Sequence, residues 1–126
     1  MPQQRLGQVV LEQVANASAL MTALIALNVV FSVLANVAFR VSARSPTWTD
    51  ALTWQVLGNL AGLITVISLT GLLRYLPLAI AFPLTTGLSI LAVQIVAAKW
   101  LFHESINGIQ WVGSLLIGLG IFLVQL

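Results

Sequence analysis

Eight charged residues punctuate this chain and leave four long stretches between them with none. Arg5 and Glu12 stand near the start, then Arg40, Arg44 and Asp50, then Arg74, then Lys99 and Glu104 beside His103. The uncharged stretches run over residues 17–39, 52–73, 76–98 and 107–126. Each approaches the ~20 apolar residues that cross a ~30 Å hydrocarbon layer. A charge in mid-bilayer is costly, so charges collect where spans end. The pattern predicts an all-α protein, a bundle of four transmembrane helices over 17–126, with residues 1–16 as a separate N-terminal segment.

Composition supports that frame and excludes others. Only 6% of residues are charged, against about 25% in an ordinary soluble domain. The four spans use most of the 126 residues and leave no room for a soluble domain. The net charge of +2 arises from so few groups that it does not mark a nucleic-acid surface. No cysteine is present, which excludes disulfides and thiolate metal sites. One histidine, no paired acids and no activated nucleophile give no catalytic or metal-binding constellation and call for no cofactor.

Residues 1–16 lack the compact apolar core and small-residue cleavage site of a signal peptide. Leu6, Val9, Val10, Val14 and Ala17 recur at helical spacing among glutamines and Glu12. Two readings fit: a short interfacial helix leading into span 1, or the helical start of span 1 itself. Four spans place both termini on one side, with Arg5 and Arg74 there and Arg40, Arg44 and Lys99 opposite. That count leans toward termini outside the cytoplasm and permits insertion both ways. Trp48, Trp54, Trp100 and Trp111 gather at the end opposite the termini, where they suit the headgroup level.

Span 1 carries Asn28, Ser32, Asn36 and Arg40 at steps of four, which on a helix of 3.6 residues per turn form one stripe drifting slowly round the axis. Such a stripe either bonds neighbouring helices or lines a wet cavity. Arg40, at its interfacial end, either holds an anionic headgroup or snorkels to the interface. In span 3, Pro83 is followed by Thr85, Thr86, Gly87 and Ser89. A proline with hydroxyls at mid-membrane marks a transporter site or an ordinary kinked helix. Gly58 and Gly62 in span 2, and Gly113, Ser114 and Gly118 in span 4, are small residues that favour close helix contact within the chain or between chains. Asn107 with Gln110 reads as a capping box opening span 4. Glu104 and His103 read as a loop cap or an ion pair, with Lys99 the nearest basic partner.

The run Leu76–Leu126 resembles one half of a drug/metabolite transporter superfamily protein. The likeness rests on P-x-x-x-A-F-P at Pro77–Pro83, H-E at His103-Glu104, and Q-x-x-G with G-x-G at Gln110, Gly113, Gly118 and Gly120. The four-helix length is similar to two branches: small multidrug resistance proteins, and subunits that flip aminoarabinose on a polyprenyl phosphate. The first depends on a glutamate eight residues before the basic residue of span 1. Counting back from Arg40 reaches Ser32 instead, and Phe82 and Thr85 stand where that branch has Tyr and Trp. The second branch also lacks the glutamate. The resemblance therefore implies a transporter or flippase subunit for an amphiphilic or lipid-linked substrate, without proton coupling through a membrane carboxylate. It implies a homodimer, or a heterodimer with a related four-helix chain, in contact with lipids of the cell (inner or plasma) membrane. Asn28, Ser32, Asn36, Arg40, Phe82, Thr85, Thr86 and Ser89 are the candidate substrate-binding residues. A non-transporting helical subunit of a larger membrane complex is the alternative, because packing and cavity stripes use the same residue types.

Overall fold

The computed structural model describes residues 2–126, and among these every regular element is helical. Helix α1 spans Pro2–Arg44, α2 spans Trp48–Leu72, α3 spans Leu78–Ala92, and α4 spans Gly108–Val124. A π-helical segment, Val93–Leu101, continues α3 without a break. Three helices are long and apolar enough to cross a membrane: α1, α2 and the joined run Leu78–Leu101. The expected fourth span is a 17-residue apolar helix, at the short end of the spanning range.

α1 is one uninterrupted helix of 43 residues, about 65 Å at 1.5 Å per residue. Between Pro2 and Pro46 the chain holds no proline and a single glycine, Gly7, so nothing stops the helix. It ends at Arg44 because Ser45 precedes Pro46, and a residue before proline is pushed out of the helical region. Thr47 then caps α2, its hydroxyl accepting from the Asp50 backbone N–H at 3.2 Å. Asp50 in that first turn also suits the positive end of the helix dipole.

α1 and α2 pack antiparallel along the length of α2. Leu24 lies against Gly71, Asn28 against Thr65, Phe39 against Gly58 and Ser42 against Ala51. A Cβ at Gly58 would overlap the Phe39 ring, so that glycine is what lets the two backbones approach. With Leu24 level with the end of α2, most of the preceding part of α1 stands beyond the bundle, and residues 2–16 are exposed throughout.

α3 packs on α1 and touches α2, whereas α4 packs against the α3 rod alone. Gly87 receives Ile121, Leu91 lies 3.8 Å from where a Cβ on Gly118 would stand, and Gln94 meets Ser114. Pro83 sits inside α3 without breaking it, and Pro77 occupies the N-cap position, where its missing N–H is no loss. The nearby Thr85 hydroxyl donates to the Ala81 carbonyl at 2.8 Å. The π segment closes with the Phe102 N–H on the Ala97 carbonyl (2.9 Å) and the Glu104 N–H on that of Ala98 (2.7 Å). His103 makes the turn at φ 52°, in the left-handed region that histidine visits more readily than most side chains. Asn107 and Gln110 then form the capping box, at 2.8 and 2.9 Å.

Candidate functional site

The polar stripe of α1 faces the hydroxyl cluster of α3 across a cavity of about 530 Å³. Asn28, Ser32 and Asn36 line it from α1, Thr65 from α2, Thr85, Thr86 and Ser89 from α3, and Gln94 from the π segment. Val66, Leu69, Ile90 and Val93 supply apolar wall. Because α4 stays on the far side of α3, it contributes nothing to this lining.

Four of the eight polar side chains in the lining, Asn28, Asn36, Thr65 and Thr85, donate to backbone carbonyls. Asn28 is buried, and its Nδ2 donates to the Thr65 carbonyl at 2.9 Å, across the α1–α2 seam. Asn36 Nδ2 donates to the Ser32 carbonyl at 2.8 Å, within its own helix. The Thr65 hydroxyl donates to the Gly62 carbonyl at 2.6 Å. Ser89 differs: its residue is 8% exposed, and its hydroxyl has no hydrogen-bond partner among the described residues.

Six candidate residues thus surround one space: Asn28, Ser32, Asn36, Thr85, Thr86 and Ser89. Two do not. Phe82 points outward and is exposed, on the surface that lipid or another chain would cover. Arg40, one turn past Asn36, lies outside the lining and donates to Glu104 Oε1 at 2.8 Å. Glu104 therefore pairs with Arg40, not with Lys99, because the left-handed turn at His103 returns the loop toward α1. Lys99 instead sits over the Trp111 ring, 4.8 Å from its centroid, and Arg44 lies 5.2 Å from that of Phe102.

The small residues also divide. Gly58 is filled by Phe39, and Gly118 lies beside Leu91. A Cβ at Gly62 or Gly113 would meet nothing within 4 Å, so no close approach inside the chain requires glycine at either position. Ser114 is more than a small contact: its hydroxyl donates to Gln94 Oε1 at 2.6 Å and to the Gln110 carbonyl at 3.1 Å.

Sequence reasoning passed over Thr65 and Gln94. For Gln94 a signal was present: it is the lone amide in the uncharged run of span 3, five residues after Ser89. On an α-helix that spacing turns a side chain well away from its predecessor, and Gln94 borders both this cavity and α4, where it accepts from Ser114.

The fold and site define an all-helical protein of the membrane-spanning kind, with a cavity among its three membrane-length helices whose mostly apolar wall carries several hydroxyl and amide side chains. Compared with known proteins, the chain matches no protein-family model, no curated protein and no solved structure.

Proposed function

We propose that this chain is a small multi-pass transporter or flippase subunit of the cell membrane, of the drug/metabolite transporter type, that moves an amphiphilic or lipid-linked substrate as a dimer. The observation that carries this reading is the cavity. Polar residues from α1, α2 and α3 converge on one space within helices otherwise suited to lipid. A polar side chain facing lipid is unfavourable, so hydroxyls and amides set in this otherwise apolar wall suit an amphiphile with a polar part. Among the described residues no Asp, Glu, Lys, Arg or His belongs to the lining, which suits transport without a proton-carrying carboxylate. The cavity is built from three helices of one chain, and the fourth helix lies outside with large apolar side chains such as Leu115, Leu116 and Phe122 exposed. A second chain against this one would enclose the space and cover such a surface.

The test is reconstitution into vesicles holding fluorescent lipids with neutral, zwitterionic or anionic headgroups. Dithionite quenching reports the rate at which each crosses the bilayer. At least one should cross several times faster than in protein-free vesicles, and Ser32→Leu or Asn36→Leu should slow it. Rates equal to those of protein-free vesicles for every lipid would sink the transporter reading.

One observation favours a second reading, a helical subunit of a larger membrane assembly. The N-terminal portion of α1 stands outside the bundle with Leu6, Val10 and Val14 exposed, as a helix that docks on other subunits would. Co-purification of other subunits at fixed stoichiometry from the native membrane is the outcome that selects it.

A further inference from the structure

We propose that a second copy of this chain docks on the face of α2 marked by Gln55, Asn59 and Gly62. This shares the dimer with the proposed function and does not depend on transport.

Gln55, Asn59, Gly62 and Val66 follow at steps of four, three and four, so they lie along one face of α2. Asn59 is the twelfth of the 25 residues of that helix, close to its midpoint, and Gln55 stands one turn nearer Trp48. Both amide residues are exposed. The Gln55 carboxamide makes no hydrogen bond among the described residues. Asn59 Nδ2 donates to the Gln55 carbonyl at 2.7 Å, within the helix, which leaves its Oδ1 and one proton for another partner. The exposed hydroxyls of Thr22, Thr53 and Thr70, by contrast, donate to carbonyls of their own helices and have no further proton to place.

The surrounding solvent turns this difference into a preference. Lipid tails cover an apolar face such as that of α4 as well as a protein does, whereas an amide set in hydrocarbon gains from a hydrogen-bonding partner. The two amides therefore single out this face of α2.

Its chemistry suits an identical chain. A carboxamide carries donor and acceptor together, so the same group on a second copy complements it. No charge occurs over residues 52–73, so two such faces do not repel. Because Asn59 stands at mid-helix, a copy inserted in the same or the opposite sense brings its own Asn59 to the same depth. Gly62 gives room: a Cβ there would meet nothing within 4 Å, and a small residue lets a neighbouring helix come close. Val66 belongs to the cavity lining as well, so a chain seated on this face borders the cavity.

The chain has no cysteine, so single ones serve as reporters. Donor and acceptor dyes on Gln4→Cys, in the exposed N-terminal segment, report dimerisation by energy transfer as the protein is diluted in lipid vesicles. Gln55→Leu and Asn59→Leu should each weaken dimerisation about three- to fifteenfold, the range that hydrogen bonds between membrane helices supply. Gly62→Leu should weaken it as well. The melting temperature of the monomer in detergent should hold in all three, since none of these side chains contacts another helix of the chain through a hydrogen bond. Oxidative cross-linking locates the contact: Asn59→Cys should join two chains, while Leu57→Cys, on the opposite face of α2, and Leu115→Cys, on α4, should not. A monomer at every dilution overturns the inference, as does dimerisation unchanged in the Gln55→Leu/Asn59→Leu double variant, or cross-linking through Leu57→Cys or Leu115→Cys without Asn59→Cys. A dimer joined at Asn59 that moves no lipid would fail the transporter reading alone, and a transporting dimer joined elsewhere would fail this inference alone.

Discussion

Arg40 donates to Glu104 across 2.8 Å and ties α1 to the loop that precedes α4, one helical turn beyond Asn36 and the end of the cavity lining. The two side chains are 43% and 40% exposed, so solvent and salt screen the attraction strongly. We expect a double-mutant cycle with Arg40→Gln and Glu104→Gln to give a coupling of only about 0.2–1 kcal/mol, shrinking as salt rises. Thermal unfolding in detergent at low and high salt measures it. A coupling of several kcal/mol, or one indifferent to salt, would show the pair to be far better shielded than its exposure indicates.

The Phe39 ring occupies the space that a side chain at Gly58 would need. Gly58→Ala should therefore destabilise the α1–α2 pair by about 1–3 kcal/mol through overpacking. The second-site change Phe39→Leu should restore much of the loss, because it removes the obstructing ring edge. Gly62→Ala, four residues along the same helix, meets open space and should be neutral or slightly stabilising. Melting temperatures of the three variants check the contrast; equal effects at Gly58 and Gly62 would contradict this packing.

Much of this architecture was legible in the sequence, and the misses have physical causes. The uncharged stretches located the helices because mid-membrane charge is costly, whatever the packing. The box at Asn107 and Gln110 was legible because a cap is a local interaction, closed within four residues. The Asn28–Ser32–Asn36 stripe was legible as a periodicity, but only tertiary structure could put it opposite Thr85, Thr86 and Ser89. The partner of Glu104 was not legible, because it depends on the turn at His103 rather than on the short distance along the chain to Lys99. The π segment carries no glycine or proline to announce it, so Gln94 could not be assigned a face from α-helical spacing.

Residues 2–16 are exposed throughout, and Leu24 is already level with Gly71 near the end of α2. Deleting residues 2–14 should leave the melting temperature of the helical bundle within a few degrees of the full chain. Circular dichroism should record only the loss of the corresponding helix. A collapse in stability would mean that this segment packs on the bundle.

Asn107 accepts from the Gln110 N–H and receives the Gln110 side chain in return. Replacing it by alanine removes the acceptor of the Gln110 N–H at the start of α4, and caps of this type are worth about 0.5–2 kcal/mol. Asn107→Ala should lose stability in that range and speed amide exchange in the first turn of α4. Asn107→Asp should retain most of the cap. Exchange rates unchanged in the alanine variant would rule out a stabilising role for the box.

The amide of Asn28 reaches the Thr65 carbonyl, which also receives the Ser68 hydroxyl at 2.7 Å. Removing the asparagine therefore does not strand that carbonyl, because Ser68 remains. Hydrogen bonds between helices in membranes average about 0.6 kcal/mol and seldom exceed about 1.7 kcal/mol. Asn28→Leu should fall within that range, by unfolding in mixed micelles. Its larger effect should be on the site, since a branched apolar side chain would replace a polar group in the cavity lining. Lipid translocation should slow several-fold while the fold survives. If Asn28→Leu kept wild-type translocation and lost several kcal/mol of stability, the asparagine would be a packing residue and the α1 stripe would have to be reassigned from the cavity to the seam.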